Sequence, residues 1–182
     1  MRATAIRPTG VERRFGADEI IVSKTDTRGV ITYANDVFLR VAVYDEADIV
    51  GKPHNIIRHP DMPRAVFKLL WDTIAAGDEM FAYVLNLASD GAHYWVFAHI
   101  TPTFSPSGKI VGYHSNRRLP APKAIEEAHA LYKTVLAEER RHAHVPDAIA
   151  ASYALLTGTL DDAGLTYDEW VWDVTARAMG AR

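Results

Sequence analysis

The sequence predicts an α+β protein with a five-stranded antiparallel sheet, and three observations support this class. Apolar residues alternate with period two near residue 20 and again between residues 80 and 116. A cluster of short helical patterns and one longer helix lies between these two regions. After residue 120 the apolar residues recur with helical spacing. We therefore expect an N-terminal cap at 1–18, a sheet-containing domain at 19–119 and a helical extension at 120–182.

The first two strands are predicted to form a hairpin, and a series of helices follows them. Two β-prone runs flank a turn-rich segment, at 20–24, 25–29 and 30–34. Asn35 then has the position and the side chain of a helix N-cap. Gly51 ends a second short helix. The longest helix of this region is predicted between Arg64 and Gly77, because apolar residues recur there at helical spacing.

Charged residues and two prolines are concentrated just before this longer helix, in the segment Asn55-Ile56-Ile57-Arg58-His59-Pro60-Asp61-Met62-Pro63. Pro63 fits a first helical turn, where its missing N–H would have had no partner. Asp61 is placed to accept hydrogen bonds from the unpaired amides of the same turn. Helix capping and ligand binding both explain these residues, and the sequence alone leaves the two open.

Three further strands complete the predicted sheet, at 80–87, 93–101 and 110–116. The first two are joined across Asp90-Gly91, a dipeptide favoured in tight hairpins. Both faces of these strands are apolar, so both must be covered. We expect the inner face to meet the helices and any ligand. We expect the C-terminal helices or a second subunit to cover an outer face formed by Phe81, Tyr83, Trp95 and Phe97.

The C-terminal extension is predicted to hold three helices. The first carries an apolar stripe and ends near residue 140, and the second covers 147–156. Thr166 and Glu169 form a capping box that begins the third helix. Aromatic side chains on this helix are expected to anchor it on the body of the protein or on a partner, through Trp170 or Trp172.

The composition excludes several classes of function. A net charge of −3 gives no basic field for nucleic acid. The chain has no cysteine, which removes disulfides and thiolate metal sites. No apolar run has the length that a membrane span needs, and no signal-peptide pattern is present, so we expect a cytoplasmic protein. No nucleophile–base pattern or phosphate-binding loop predicts an enzyme.

The order of these elements and the string from Asn55 to Pro63 together resemble a PAS domain of the aerotaxis-receptor family. Other matching pieces are Gly51-Lys52-Pro53-His54, His93-Tyr94-Trp95 and Gly112-Tyr113, and the resemblance covers about residues 19–118. It extends to stand-alone, single-domain PAS proteins of α-proteobacteria that regulate motility and the cell cycle. In aerotaxis receptors this domain holds FAD noncovalently and reports its redox state to a chemotaxis signalling domain.

The resemblance implies a flavin site. Arg58, His59 and Asp61 match family residues implicated in flavin binding, and Asn35 matches the asparagine that starts the first pocket helix. A cation and amide donors suit a phosphate or a reduced, anionic ring, and an aromatic cleft suits an isoalloxazine. Met80 stands where the family usually has a tryptophan. The expected pocket lies between the long helix and the inner sheet face, with Phe67, Trp71, Met80, Asn86 and Tyr94.

Two hypotheses of different classes follow. The first is a cytoplasmic PAS sensor that binds FAD and links redox or energy state to motility or chemotaxis through protein–protein contacts. The second is a ligand-free PAS interaction module that regulates motility or cell-cycle signalling. Both imply a protein partner, which includes a second copy of the chain in a homodimer. The histidines form no complete metal-ligand set, and a haem would need an axial ligand from His54, His59 or His114.

Overall fold

A computed structural model describes residues 6–180 of the chain. Five strands form one antiparallel sheet in the order β2-β1-β5-β4-β3. The predicted α+β class and the five-stranded antiparallel sheet are confirmed. The strands are β1 (Ile21–Thr25), β2 (Ile31–Ala34), β3 (Met80–Leu87), β4 (His93–Phe104) and β5 (Ile110–Arg118).

The helices among the described residues fall into two groups. The first group lies between β2 and β3 and packs on the inner face of the sheet. It contains α1 (Asp36–Ala42), α2 (Glu46–Ile49), a 3₁₀ helix (His54–Ile57) and α3 (Arg64–Ala76). The second group follows β5 and contains α4 (Pro122–Glu139), α5 (Val145–Asp162) and α6 (Tyr167–Ala178).

Three elements are longer than the sequence pattern predicts. The strands β4 and β5 stay paired up to their turn, where Phe104 lies opposite Ile110, and β5 continues to Arg118. Helix α5 continues through Gly158 to Asp162. A glycine inside a helix costs roughly 1 kcal/mol. The burial of Leu160 in the core offsets this cost, because tertiary packing contributes more than propensity.

The outer face of the sheet is covered by α4 and α6 of the same chain. The hydroxyl of Tyr132 in α4 donates to the backbone carbonyl of Tyr83 at 2.9 Å. The hydroxyls of Tyr83 and Thr175 in α6 lie 2.6 Å apart. The indole of Trp172 rests on Phe81, with ring centroids 4.7 Å apart. These contacts bury most of the apolar outer face and attach the extension to the sheet.

Trp170 and Trp172 have different surroundings on α6. Trp170 is half-buried and packs against Tyr132 and Tyr167. Trp172 is 44% exposed although it contacts Phe81. The two remaining aromatic residues of the outer face are Trp95, which is buried beside Tyr132, and Phe97, which is half-buried beside Trp172.

The segment before β1 runs along the start of β4. The Thr9 N–H donates to the Gly91 carbonyl, and the Arg13 N–H donates to the His93 carbonyl. A Cβ at Gly91 would lie 2.4 Å from the Arg7 carbonyl oxygen, and the backbone φ of Gly91 is +87°. Only glycine fits this turn without displacing the segment.

Candidate functional site

A cavity of about 520 Å³ lies between α3, the 3₁₀ helix and the inner face of the sheet. Helix α5 closes part of its rim, since Ile149 is among the lining residues. Helix α5 is held there by its packing on α3, where the Lys68 ammonium lies 4.9 Å from the centroid of the Tyr153 ring. The cavity is therefore formed jointly by the sheet-containing part and the C-terminal extension.

The walls of the cavity are mostly apolar because alternate residues of each strand point inward. Helix α3 supplies one wall and β3, β4 and β5 supply the other. An apolar cleft with a few polar groups is the usual form of a small-molecule site. The apolar and aromatic lining consists of Ile57, Phe67, Leu70, Trp71, Ile74, Val84, Ala98, Ile100, Tyr113 and Ile149.

Two buried hydrogen-bond donors in this lining have no partner among the described residues. One is Nδ2 of Asn86 and the other is Nη1 of Arg117. Asn86 is 4% exposed and Arg117 is 2% exposed, so both donors are buried in the cavity wall. An unpaired buried donor costs about 1–3 kcal/mol. A ligand with acceptor atoms facing this part of the cavity would remove that cost.

The charge of the lining is positive. Among the described residues that line the cavity there are five Lys or Arg cations and no carboxylate. Four of them lie near the rim or the 3₁₀ helix and have partners outside the cavity. Arg28 pairs with Asp26 and Lys68 with Asp72. Arg64 pairs with Glu139, and Arg58 donates to the Met62 carbonyl.

Arg117 is the fifth cation, and its contacts are all with neutral groups. Its Nε donates to Ser115 Oγ at 3.0 Å and its Nη2 donates to Ser23 Oγ. The same Nη2 lies 3.1 Å from His54 Nε2. Burial lowers the pKa of Arg117 to about 10, so the guanidinium stays charged at neutral pH.

His54 is held neutral by this environment. Burial, and then the nearby Arg117 charge, lower the pKa of His54 to about 3. Its ring stacks on Phe38 with centroids 6.0 Å apart. A neutral ring accepts at one nitrogen, and here Nε2 faces the donors of Arg117 and Ser23. His54 therefore orients the arginine without compensating its charge.

Four of the residues predicted for the flavin site line the cavity. They are Arg58, Phe67, Trp71 and Asn86. The Arg58 guanidinium lies over the Phe67 ring, 4.7 Å from its centroid, and burial lowers the pKa of Arg58. Trp71 is 38% exposed and contacts Tyr113 edge-to-face.

The other five predicted residues lie away from the cavity lining. Asn35 caps α1, as its side-chain oxygen accepts from the N–H groups of Phe38 and Val22, and its Nδ2 donates to the Ile20 carbonyl. These hydrogen bonds are all to backbone groups, so Asn35 has a structural role and does not face a ligand. Met80 and Tyr94 are buried in the hydrophobic core and are not part of the cavity lining.

His59 and Asp61 likewise serve the chain itself. His59 is buried and its Nδ1 accepts the Asp61 N–H at 3.1 Å, while its ring meets His93 edge-on. Burial lowers the pKa of His59, and the Asp61 carboxylate opposes this shift. The Asp61 carboxylate is exposed and pairs at 2.6 Å with Arg140, the residue directly after α4. Asp61 does not cap α3 as the sequence predicts, because Glu139 accepts the first amide of that helix.

Among the polar residues that line the cavity, Arg117, Ser23 and His54 are three that the predicted flavin site does not include. Arg117 was not identified because β5 was predicted to end at residue 116. Alternation along the observed β5 places Tyr113, Ser115 and Arg117 on one face, and all three line the cavity. An arginine on an inward-facing position of a strand is the signal that would have identified it.

The fold and the cavity are those of a PAS domain. The family described as PAS fold matches residues 31–117, and this part of the chain belongs to that family. The chain is 40% identical over 118 residues to the aerotaxis receptor of Escherichia coli (strain K12), covering 65% of this chain and 23% of the receptor. It is 30% identical over 99 residues to a nitrogen fixation regulatory protein of Klebsiella pneumoniae, covering 54% of this chain and 20% of that protein.

Solved structures agree with the family. The dark structure of the LOV domain of the blue-light photoreceptor Aureochrome1 superimposes with a TM-score of 0.54 at 24% identity, over 59% of this chain and 80% of that chain. This likeness shows a shared fold. The chain spans less than a quarter of the length of either curated relative. Among the described residues, no helix combines the length and the apolar character of a membrane span.

Proposed function

We propose that this protein is a redox sensor that binds a flavin, FAD, in the cavity and signals through protein–protein contacts. The observation that carries the proposal is the pair of unpartnered buried donors, Asn86 Nδ2 and Arg117 Nη1, in an otherwise apolar cavity. A flavin ring has a flat apolar face and an edge rich in carbonyl and ring-nitrogen acceptors. That combination fits the cavity, and the similarity to the aerotaxis receptor supports a link to motility.

Different residues of the cavity would contact the edge and the faces of the flavin ring. Asn86 and Arg117 would donate hydrogen bonds to its acceptor edge, and Phe67 and Trp71 would contact its faces. Ile149 of α5 would shield one side of the cavity from water. When bound, a flavin supplies reversible uptake of electrons and protons at its ring.

The C-terminal extension is the proposed output. Ile149 lines the cavity from α5, and Glu139 at the end of α4 bonds to the first residue of α3. A change in the shape of the ligand would therefore reach α5 directly and α4 through α3. We expect hydrogen exchange of the α5 amides to differ between oxidised and chemically reduced protein. Identical exchange in the two states would contradict this route.

The binding test uses the full chain expressed with excess flavin. We expect a yellow protein that releases FAD on denaturation, at about one FAD per chain. Replacing Asn86 by alanine removes one hydrogen bond worth about 0.5–1.5 kcal/mol, so the Kd for FAD should rise roughly 2–12-fold. Asn116→Ala is the matched control, because Asn116 is exposed on the opposite face of the same sheet.

The opposite result has a definite meaning. A folded, colourless protein that also fails to bind FAD on titration would contradict the sensor proposal. It would leave the ligand-free interaction module as the function of the PAS domain.

A further inference from the structure

Arg117 is a buried cation without a counter-ion. No carboxylate forms an ion pair with it in the part of the chain that the structure describes. Burying an isolated charge is costly, and buried charges in proteins are normally paired. The neutral hydroxyls of Ser23 and Ser115, the neutral His54 ring and the face of Phe38, 4.9 Å from the guanidinium carbon, are its surroundings. The protein therefore retains an uncompensated positive charge beside its cavity.

The Arg117 charge lies at the cavity, where a ligand could contact it. Arg117 lines the cavity, and its Nη1 is the nitrogen that lacks a partner. Nη2 and Nε are held by β1, by β5 and by His54, so the guanidinium is fixed in orientation. A fixed donor with an unpaired charge favours a ligand atom that carries negative charge.

We propose that Arg117 makes the cavity selective for charge, so that it binds the reduced, negatively charged form of the flavin ring more tightly than the neutral oxidised form. This inference rests on the proposed flavin site. Reduction adds two electrons and one proton to the neutral oxidised ring and leaves the reduced ring with one negative charge. Arg117, whose Nη1 has no partner, would supply the counter-ion for that charge. It acts as a positioning residue that sets the redox potential at which the sensor responds.

The expected shift in midpoint potential follows from how much more tightly the cavity binds the reduced flavin than the oxidised flavin. Each tenfold preference for the reduced form raises a two-electron midpoint potential by about 30 mV. Loss of a charge-assisted hydrogen bond lowers this preference by about 10–100-fold, so removing the charge of Arg117 should lower the midpoint potential by about 30–60 mV. The affinity for oxidised FAD should change less than the affinity for reduced FAD.

The test compares wild type with Arg117→Gln, Arg117→Met and Arg117→Lys, each loaded with FAD and titrated with dithionite as the reductant. We expect lower midpoint potentials for the Gln and Met variants and recovery towards the wild-type value in the Lys variant, which keeps the charge. Arg118→Met is the matched control, because Arg118 is the exposed neighbour on the other face of β5. Its midpoint potential should equal that of the wild type.

A second readout does not depend on flavin. Because removing an uncompensated charge relieves its burial cost, the apo form of Arg117→Met should unfold at a temperature no lower than the apo wild type. FAD-loaded Gln and Met variants with the wild-type midpoint potential would overturn the inference and leave the flavin site intact. A wild-type protein that binds no FAD would overturn both the flavin site and this inference.

Discussion

The carboxylate of Glu139 caps the N-terminus of α3 from a distant helix. Its Oε2 accepts the Arg64 N–H at 2.7 Å, and its Oε1 accepts from the Arg64 guanidinium at 2.8 Å. Glu139 is 4% exposed at the end of α4. A buried carboxylate at a helix N-terminus satisfies unpaired amides and interacts favourably with the helix dipole. The C-terminal extension thus completes the helix that forms one wall of the cavity.

Replacing Glu139 by alanine should destabilise the protein by about 1–3 kcal/mol, because the Arg64 amide and guanidinium lose their acceptor. Urea unfolding followed by circular dichroism measures this change. The adjacent Glu138→Ala serves as control, since Glu138 forms local, solvent-exposed pairs with Arg141 and His142 and its loss should cost much less. Equal losses in the two variants would contradict the capping role of Glu139.

Local chemistry is what the sequence predicts well. The capping box of α6 is present, with the Glu169 N–H donating to Thr166 Oγ1 at 3.2 Å and the Thr166 N–H donating to Glu169 at 2.7 Å. The N-cap at Asn35 and the end of α3 at Gly77 are also as predicted. Each of these features depends on residues within four positions along the chain, so periodicity and propensity are sufficient.

Non-local partners are what the sequence does not show. The cap of α3 comes from Glu139, 75 positions away, and displaces the nearby Asp61 that the sequence favours. The charge of the cavity depends on Arg117, whose bond to Ser23 spans 94 positions. Neither pairing leaves a periodic pattern, because both depend on how β5 and α4 pack in three dimensions.

Val43 is strained at the end of α1. Its φ is 56° and its ψ is 52°, the left-handed region that a β-branched residue rarely adopts. This conformation costs a non-glycine residue about 1–2 kcal/mol. Glycine avoids that cost, but it loses more conformational entropy on folding, which destabilises the folded state by about 0.5–1 kcal/mol. Val43→Gly should therefore stabilise the protein by about 0.5–1 kcal/mol in urea unfolding. Val43→Ala keeps the strain and should give no gain; an equal gain in both variants would exclude backbone strain as the cause.

The free energy of unfolding should decrease as the pH falls, because the unfolded chain protonates His54 more readily than the folded protein does. The pKa of His54 is about 3 in the folded protein against 6.5 for an ordinary histidine, so the unfolded chain binds the proton first as the pH falls. The stability contribution of His54 is complete above pH 6.5 and is lost between pH 6.5 and about 3, at up to about 1.4 kcal/mol per pH unit. Burial lowers the pKa of His59 as well, which acts in the same direction.

His54→Gln should flatten this dependence, because glutamine keeps an acceptor near Arg117 but does not titrate. Unfolding free energies measured from pH 7 to pH 4.5 should give a slope shallower by up to about 1.4 kcal/mol per pH unit in the variant. Arg118→Gln, an exposed position on the outer face of β5, should retain the wild-type slope. A wild-type slope in His54→Gln would show that other groups dominate the acid response.

Removal of α6 should expose the outer face of the sheet. Ending the chain after Ala163 deletes the buried Val171 and Val174 and the Thr175 partner of Tyr83. Burying a valine contributes about 1.5–3 kcal/mol, so the two valines alone imply a loss of roughly 3–6 kcal/mol in urea unfolding. The uncovered aromatic face should also drive self-association, seen as concentration-dependent elution in gel filtration.

A shorter deletion that ends after Ala178 is the control for this experiment, because it keeps all of α6 and should unfold and elute like the full chain. A long deletion that melts at the temperature of the full chain and elutes at the same volume at every concentration would contradict the role of α6. In that case the contacts of Trp172 with Phe81 and Phe97 would contribute little, and the cover of the outer face would depend on α4 and its Tyr132.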